Sequence, residues 1–217
     1  MLVSQLSKSI ANNIEDLEVL KKIYDGKYSV EEAEADLSKV NVINLPKENI
    51  WCFQSEIQDI DCLRNENNTV ECTILHLNGR KLYAYMIELK SGLSKKNIGG
   101  LKKKFTCSLV TLTLYLSSHP HFSSLDNVEI FPIGVTCFNE NTYQIHYKSK
   151  AVHYSPLQKT VHEFNPKNDF HKTSARLKPI TLIPMAIPIL FFQNPDWMPT
   201  PPNTTNEFTI DFKRFLT

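Results

Sequence analysis

The chain has 217 residues, 41% of them hydrophobic and 22% charged. Those values describe an ordinary globular protein and exclude a collagen-like, coiled-coil or largely disordered chain. With 24 Lys and Arg against 23 Asp and Glu, the net charge is +1, so any nucleic-acid surface must come from local segregation of charge.

The first 45 residues read as helical. Leu2, Leu6, Ile10, Ile14 and Leu17 lie on one stripe at spacings of four and three, which predicts an amphipathic helix over 3–25 with Gly26 as its stop. A second helix is expected from Ser29 to about Val40, with Glu32 as the capping-box partner of Ser29. Pro46 closes this region.

The period then changes. Ile57, Ile60, Cys62 and Leu63 mark a short strand, and Asn65 to Asn68 are turn residues. Thr69 to Leu77 and Lys81 to Leu89 read as two further strands joined by Asn78-Gly79, a strong hairpin signal. Together they form an antiparallel meander. Helical spacing returns at Ile98, Leu101, Phe105, Leu109, Leu112 and Leu116. Gly99-Gly100 costs such a helix about 2 kcal/mol relative to alanine, so its start is expected after them. Thr111 to Leu116 alternates like a strand when read alone, and the longer stripe decides for helix. Val128 to Phe138 is a further strand, and Tyr143 to Tyr147 a candidate for another.

After residue 150 the composition shifts. Nine of the 12 prolines lie between Pro156 and Pro202. The apolar run Lys178 to Phe192 is read as extended chain packed on the domain, and Phe208, Ile210 and Phe212 alternate as in a strand. The expected organisation is a core over 1–150, helical over 1–45, followed by a Pro/aromatic-rich extension over 151–217.

No membrane span is expected. The longest apolar stretch, Ile180 to Phe192, is broken by Pro184 and Pro188 and falls short of the ~20 residues a bilayer needs. The N-terminus carries no secretory pattern. The five cysteines, Cys52, Cys62, Cys72, Cys107 and Cys137, include no CxxC pair and read as reduced thiols of a cytoplasmic protein. His119, His121, His146, His153, His162 and His171 show no spacing of a metal site and read as surface residues.

The chemistry concentrates at Tyr85 to Gly92, an apolar strand ending in Glu88-Leu89-Lys90. Glu88 and Lys90 are two apart and share one strand face, with Ile87 and Leu89 on the other. A carboxylate there can hold a divalent cation through oxygen, and an ammonium beside it can sit near a water or a phosphate oxygen. A metal site needs a second acid. With an Asn78-Gly79 loop, Leu77 faces Arg80, Glu88 faces Thr69 and Glu71 faces Met86. Glu71 is then one diagonal step from Glu88, roughly 5.5 to 8 Å away. Asp61, on the strand before the hairpin, is the other candidate.

This arrangement resembles the PD-(D/E)XK nuclease superfamily. The resemblance spans about residues 1–140 and implies a mixed-sheet α/β protein with a restriction-endonuclease-like core. That core comprises a helix, an antiparallel three-stranded meander, a helix and a further strand. It assigns Glu88 and Lys90 to the E-x-K pair and best matches Asp61 to the upstream acid, although no Pro precedes it. Glu71 remains the alternative. Many members add a carboxylate from the first helix, here Glu15 or Glu18. The implied activity is Mg²⁺- or Mn²⁺-dependent hydrolysis of a nucleic-acid phosphodiester. Asp61 or Glu71 would hold the metal with Glu88, and Lys90 would position the attacking water. Defence, mobile-element or repair contexts follow by analogy alone.

Leu89 to Leu125 holds no acidic residue but contains Lys95, Lys96, Lys102, Lys103 and Lys104. Near the start of the helix after Lys90, these lysines are expected to hold a phosphate backbone. The partner expected is nucleic acid, DNA ahead of RNA, and cutting both strands of a duplex would suit a homodimer. Two rival readings are a non-catalytic nucleic-acid or nucleotide binding module on the same fold, and a protein-interaction subunit docking through its C-terminal segment.

Overall fold

The computed structural model describes residues 11–12, 20–32, 37–53, 69–118, 128–140, 160–164, 185–195 and 207–216. Its centre is the hairpin of β5 (Cys72–Asn78) and β6 (Lys81–Gly92). The two-residue loop is Gly79-Arg80, one residue later than the sequence suggests, and the register pairs Asn78 with Lys81 and Cys72 with Ile87. Gly79 has φ +65°, and a two-residue II′ loop takes glycine at that first central position. The Asn78-Gly79 signal thus found the hairpin but placed its loop one residue early.

β4 (Ile50–Phe53) pairs antiparallel with β5, and β1 (Leu20–Lys22) with β4. On the other side of β6 the chain crosses over through α1 (Lys95–Ser118) into β7 (Glu129–Glu140), parallel to β6. β9 (Met185–Gln193) adds parallel to β7, and β8 (Thr160–Phe164) pairs antiparallel with β9. The result is a mixed seven-stranded sheet in the order β1-β4-β5-β6-β7-β9-β8. β6 is buried on both faces over most of Leu82 to Leu89, as a central strand with covered faces must be. A second sheet, in the order β10-β3-β2, joins β2 (Lys27–Glu31), β3 (Lys39–Ile43) and β10 (Glu207–Asp211), with β10 parallel to β3.

The large sheet lies between two layers. On one face Met86 and Ile189 pack with Leu101, Phe105 and Leu109 of α1, while Leu82, Ala84 and Leu75 pack with Leu112 and Leu116. On the other face Ile74, Tyr85, Ile87 and Val135 pack with Val30, Val40, Val42, Phe208 and Ile210 of the small sheet. The one-turn helix Phe212–Phe215 adds Phe212 and Phe215 to that core.

Several local expectations are corrected. The helix expected over 3–25 gives way to strand β1 at residues 20–22 and to non-helical chain at 23–25; Ala11 and Asn12 are helical, and residues 3–10 and 13–19 lie outside the described ones. The helix expected from Ser29 to Val40 is a strand pair, β2 and β3. Ser29, the expected cap, instead donates its hydroxyl to Asn41 Oδ1 at 2.7 Å across that pair. The alternation of Val30, Val40 and Val42, completed by the distant β10, outweighs local helix propensity. The strands expected at 57–63 and 143–147 fall outside the described residues, and the first strand of the meander is β4. α1 begins before Gly99-Gly100, not after. Ser94 Oγ accepts from Asn97 N–H at 3.2 Å, an N-cap that offsets part of the glycine cost. Among the described residues no helix is long and apolar enough to cross a membrane.

Candidate active site

β6 presents Met86, Glu88 and Lys90 toward α1. Glu88 is fully buried at 0% exposure. The corrected register moves Glu71 from a diagonal position to one directly opposite Glu88, a single residue beyond the Cys72–Ile87 pair. Glu71 is buried as well, at 6%. Ser108 of α1 fixes this end of β5 by accepting from Val70 N–H at 2.9 Å.

A buried carboxylate is costly unless paired, and lysines from two elements pair these acids. Lys90 forms an ion pair with Glu88 from two residues along β6. Lys104 of α1 places its Nζ 2.7 Å from Glu88 Oε1 and 3.3 Å from Glu71 Oε1. Burial works against the Lys104 charge, but Glu88 first and Glu71 second outweigh it and hold its pKa above the ordinary lysine value.

Pairing leaves oxygens over. Glu88 Oε2 is buried without a hydrogen-bond partner, and so are Thr136 Oγ1 and Thr73 Oγ1. Thr136 is the β7 partner of Glu88, and Thr73 the β5 partner of Met86, so both lie on the sheet face of Glu88. A buried polar atom without a protein partner can be satisfied by an ordered water or an ion. Among the described residues no group of three or more His, Cys, Asp and Glu converges. Mg²⁺ and Mn²⁺ fit the pair nonetheless. A hard cation of this kind is commonly held by one or two carboxylates, its other positions going to water and substrate phosphate. Glu71 and Glu88 would hold it.

Of the residues singled out in the sequence, Glu71, Glu88, Lys90 and Lys104 come together. Lys102 and Lys103 are exposed on α1. Lys95 and Lys96 occupy its first turn. Asp61, Glu15 and Glu18 lie outside the described residues. Lys104 takes a place that sequence reasoning missed, inside the acidic pair and not on the expected phosphate-binding surface. The available signal was helical: Leu101, Lys104, Phe105 and Ser108 lie on one side of α1 at spacings of three and four.

On the opposite sheet face Cys52 Sγ and Cys72 Sγ approach to 3.0 Å, both buried. Burial first, and the neighbouring thiol second, push the Cys72 pKa up, so it stays protonated and unreactive at neutral pH. No family model matches this chain, and neither does any curated protein or solved structure.

Proposed function

We propose that the chain is a metal-dependent nuclease that hydrolyses nucleic-acid phosphodiester bonds, on a core of the restriction-endonuclease-like kind. One observation carries the reading. Two carboxylates, Glu88 on β6 and Glu71 just before β5, meet two lysines, while Glu88 Oε2 stays buried and without a hydrogen-bond partner. The element order supports it, since β4, β5 and β6, then α1, then β7 follow the order of meander, helix and strand in that superfamily. Glu71, which shares Lys104 with Glu88, is taken as the upstream acid; Asp61 lies outside the described residues. DNA stays ahead of RNA as the substrate.

When bound, a divalent ion supplies Lewis acidity to a phosphoryl oxygen and to the attacking water. The chain's own residues do the rest. Glu88 and Glu71 would hold the cation. Lys90, partly exposed beside Glu88, orients the water and stabilises charge developing on the phosphate. Lys102 and Lys103, exposed on α1, attract the polyanion.

The test is cleavage of mixed DNA and RNA substrates with Mg²⁺ or Mn²⁺, comparing wild type, Glu88→Ala and Lys90→Ala, each checked for folding by circular dichroism. Loss of cleavage in both folded variants supports the nuclease. Equal cleavage in all three points to a contaminant or another site. A second reading, the non-catalytic binding module, is favoured by the fact that both carboxylates already have cationic partners. No cleavage by any protein, with salt-sensitive binding retained, would establish that reading instead.

A further inference from the structure

We propose that Lys104 is an internal stand-in for the divalent cation. Its ammonium bridges Glu71 and Glu88 while the metal is absent and leaves when the metal enters. The idea rests on the nuclease reading above and adds a role for a residue that the E-x-K pattern does not contain.

The geometry supports an exchange. Lys104 Nζ contacts an oxygen of each acid, at 2.7 Å and 3.3 Å, so the ammonium lies between the two carboxylates that would hold a cation. An ammonium there neutralises charge that burial would otherwise make costly, so the site can fold before any metal arrives. It makes a single contact to each acid and leaves Glu88 Oε2 unsatisfied. A doubly charged ion can use that remaining oxygen, and like charge then repels the ammonium. Lys104 can withdraw because its side chain is 22% exposed and its tether is four carbons long. Exposed Lys102 and Lys103 lie on other sides of α1, so the released ammonium moves into solvent at the rim of the site.

Two measurements on the full chain test this. In calorimetry with MnCl₂, Lys104→Gln removes the competing charge but keeps a hydrogen-bond donor, and Mn²⁺ affinity is expected to rise by about tenfold or more. In the wild type, labelling of Lys104 by an amine-reactive ester, followed by mass spectrometry, is expected to increase when Mn²⁺ saturates the site. Lys104→Gln that folds only when Mn²⁺ is supplied also supports the exchange. Wild type that binds Mn²⁺ with Lys104 labelling unchanged, or a folded Lys104→Gln with equal or weaker affinity, overturns the proposal and leaves the metal site standing. No Mn²⁺ bound by wild type or variant overturns the proposal together with the nuclease reading.

Discussion

Gly134 of β7 lies directly under the ring of Phe105: a Cβ on Gly134 would meet Phe105 Cε2 at 2.8 Å and Cζ at 2.9 Å. The contact seats α1 on the sheet at the strand position paired with Met86. Phe105 follows Lys104 in the chain, so the seat also sets how far Lys104 reaches toward Glu88. Gly134→Ala is expected to destabilise the fold by about 1–3 kcal/mol through overpacking, read from a shift in the denaturant midpoint. Phe105→Leu should restore room. A double variant losing less than the two single changes added together would show the coupling, whereas strict additivity would place the strain elsewhere.

The first metal ligand can be assigned by substitution. Glu71 is buried opposite Glu88 and shares Lys104 with it. Glu71→Gln is expected to lower Mg²⁺-dependent cleavage by about 10²-fold or more, the scale of removing one electrostatic contributor to a transition state. Asp61→Asn is expected to cleave at the wild-type level. The reverse pattern, with Asp61→Asn inactive and Glu71→Gln active, would move the ligand to Asp61.

The hairpin, α1 and the placement of Glu88 beside Lys90 were legible in the sequence because each rests on short-range periodicity or turn chemistry. Residues 20–43, where strands replace the expected helices, were misread for the opposite reason. Val30, Val40 and Val42 become strand residues through a parallel partner, β10, some 167 residues downstream by the measure of the Asn44–Asp211 hydrogen bond, and no local window holds that information. The site shows the same division. Glu88 and Lys90 sit on one strand and could be read together. The Glu71–Glu88 pairing depended on a loop placed one residue off. Lys104 looked like one of several surface lysines, since only the docking of α1 turns it inward.

Stability should depend on pH through His76. Its ring is half-buried, packed near Tyr83 at 6.3 Å and Phe212 at 6.1 Å, with Nδ1 lacking a hydrogen-bond partner. Burial lowers its pKa from the ordinary value of 6.5. The unfolded chain therefore takes up a proton near pH 6.5, while the folded chain resists until lower pH. Stability is full above pH 6.5 and falls as the pH drops below it. His76→Phe should flatten this part of the profile when unfolding midpoints are compared between pH 7.5 and pH 5. An unchanged slope in the variant would assign the acid sensitivity to other groups.

The C-terminal segment is expected to be indispensable to the fold. β10 forms an edge of the small sheet against β3, and Phe208, Ile210, Phe212 and Phe215 are buried in the core that covers Tyr85, Ile87 and Val135. The Phe212 ring lies 5.0 Å from that of Tyr85 and 5.4 Å from that of Phe215, an edge-to-face set that adds to simple burial. Phe212→Ala is expected to cost about 3–5 kcal/mol, a large share of the 5–15 kcal/mol typical of a domain. Removing residues 207–217 goes further. It strips one edge from β3, leaves a two-stranded remnant that is marginal in water, and uncovers one face of the sheet beneath it. The truncated chain should bind a hydrophobic dye and lose cooperative unfolding. Tyr85, Ile87 and Leu89 share β6 with Glu88, so exposing that face loosens the strand that carries the site. Cleavage should then fall even though every charged residue of the site remains. A truncated chain that unfolds cooperatively at the wild-type midpoint would mean that the segment covers the sheet without stabilising it.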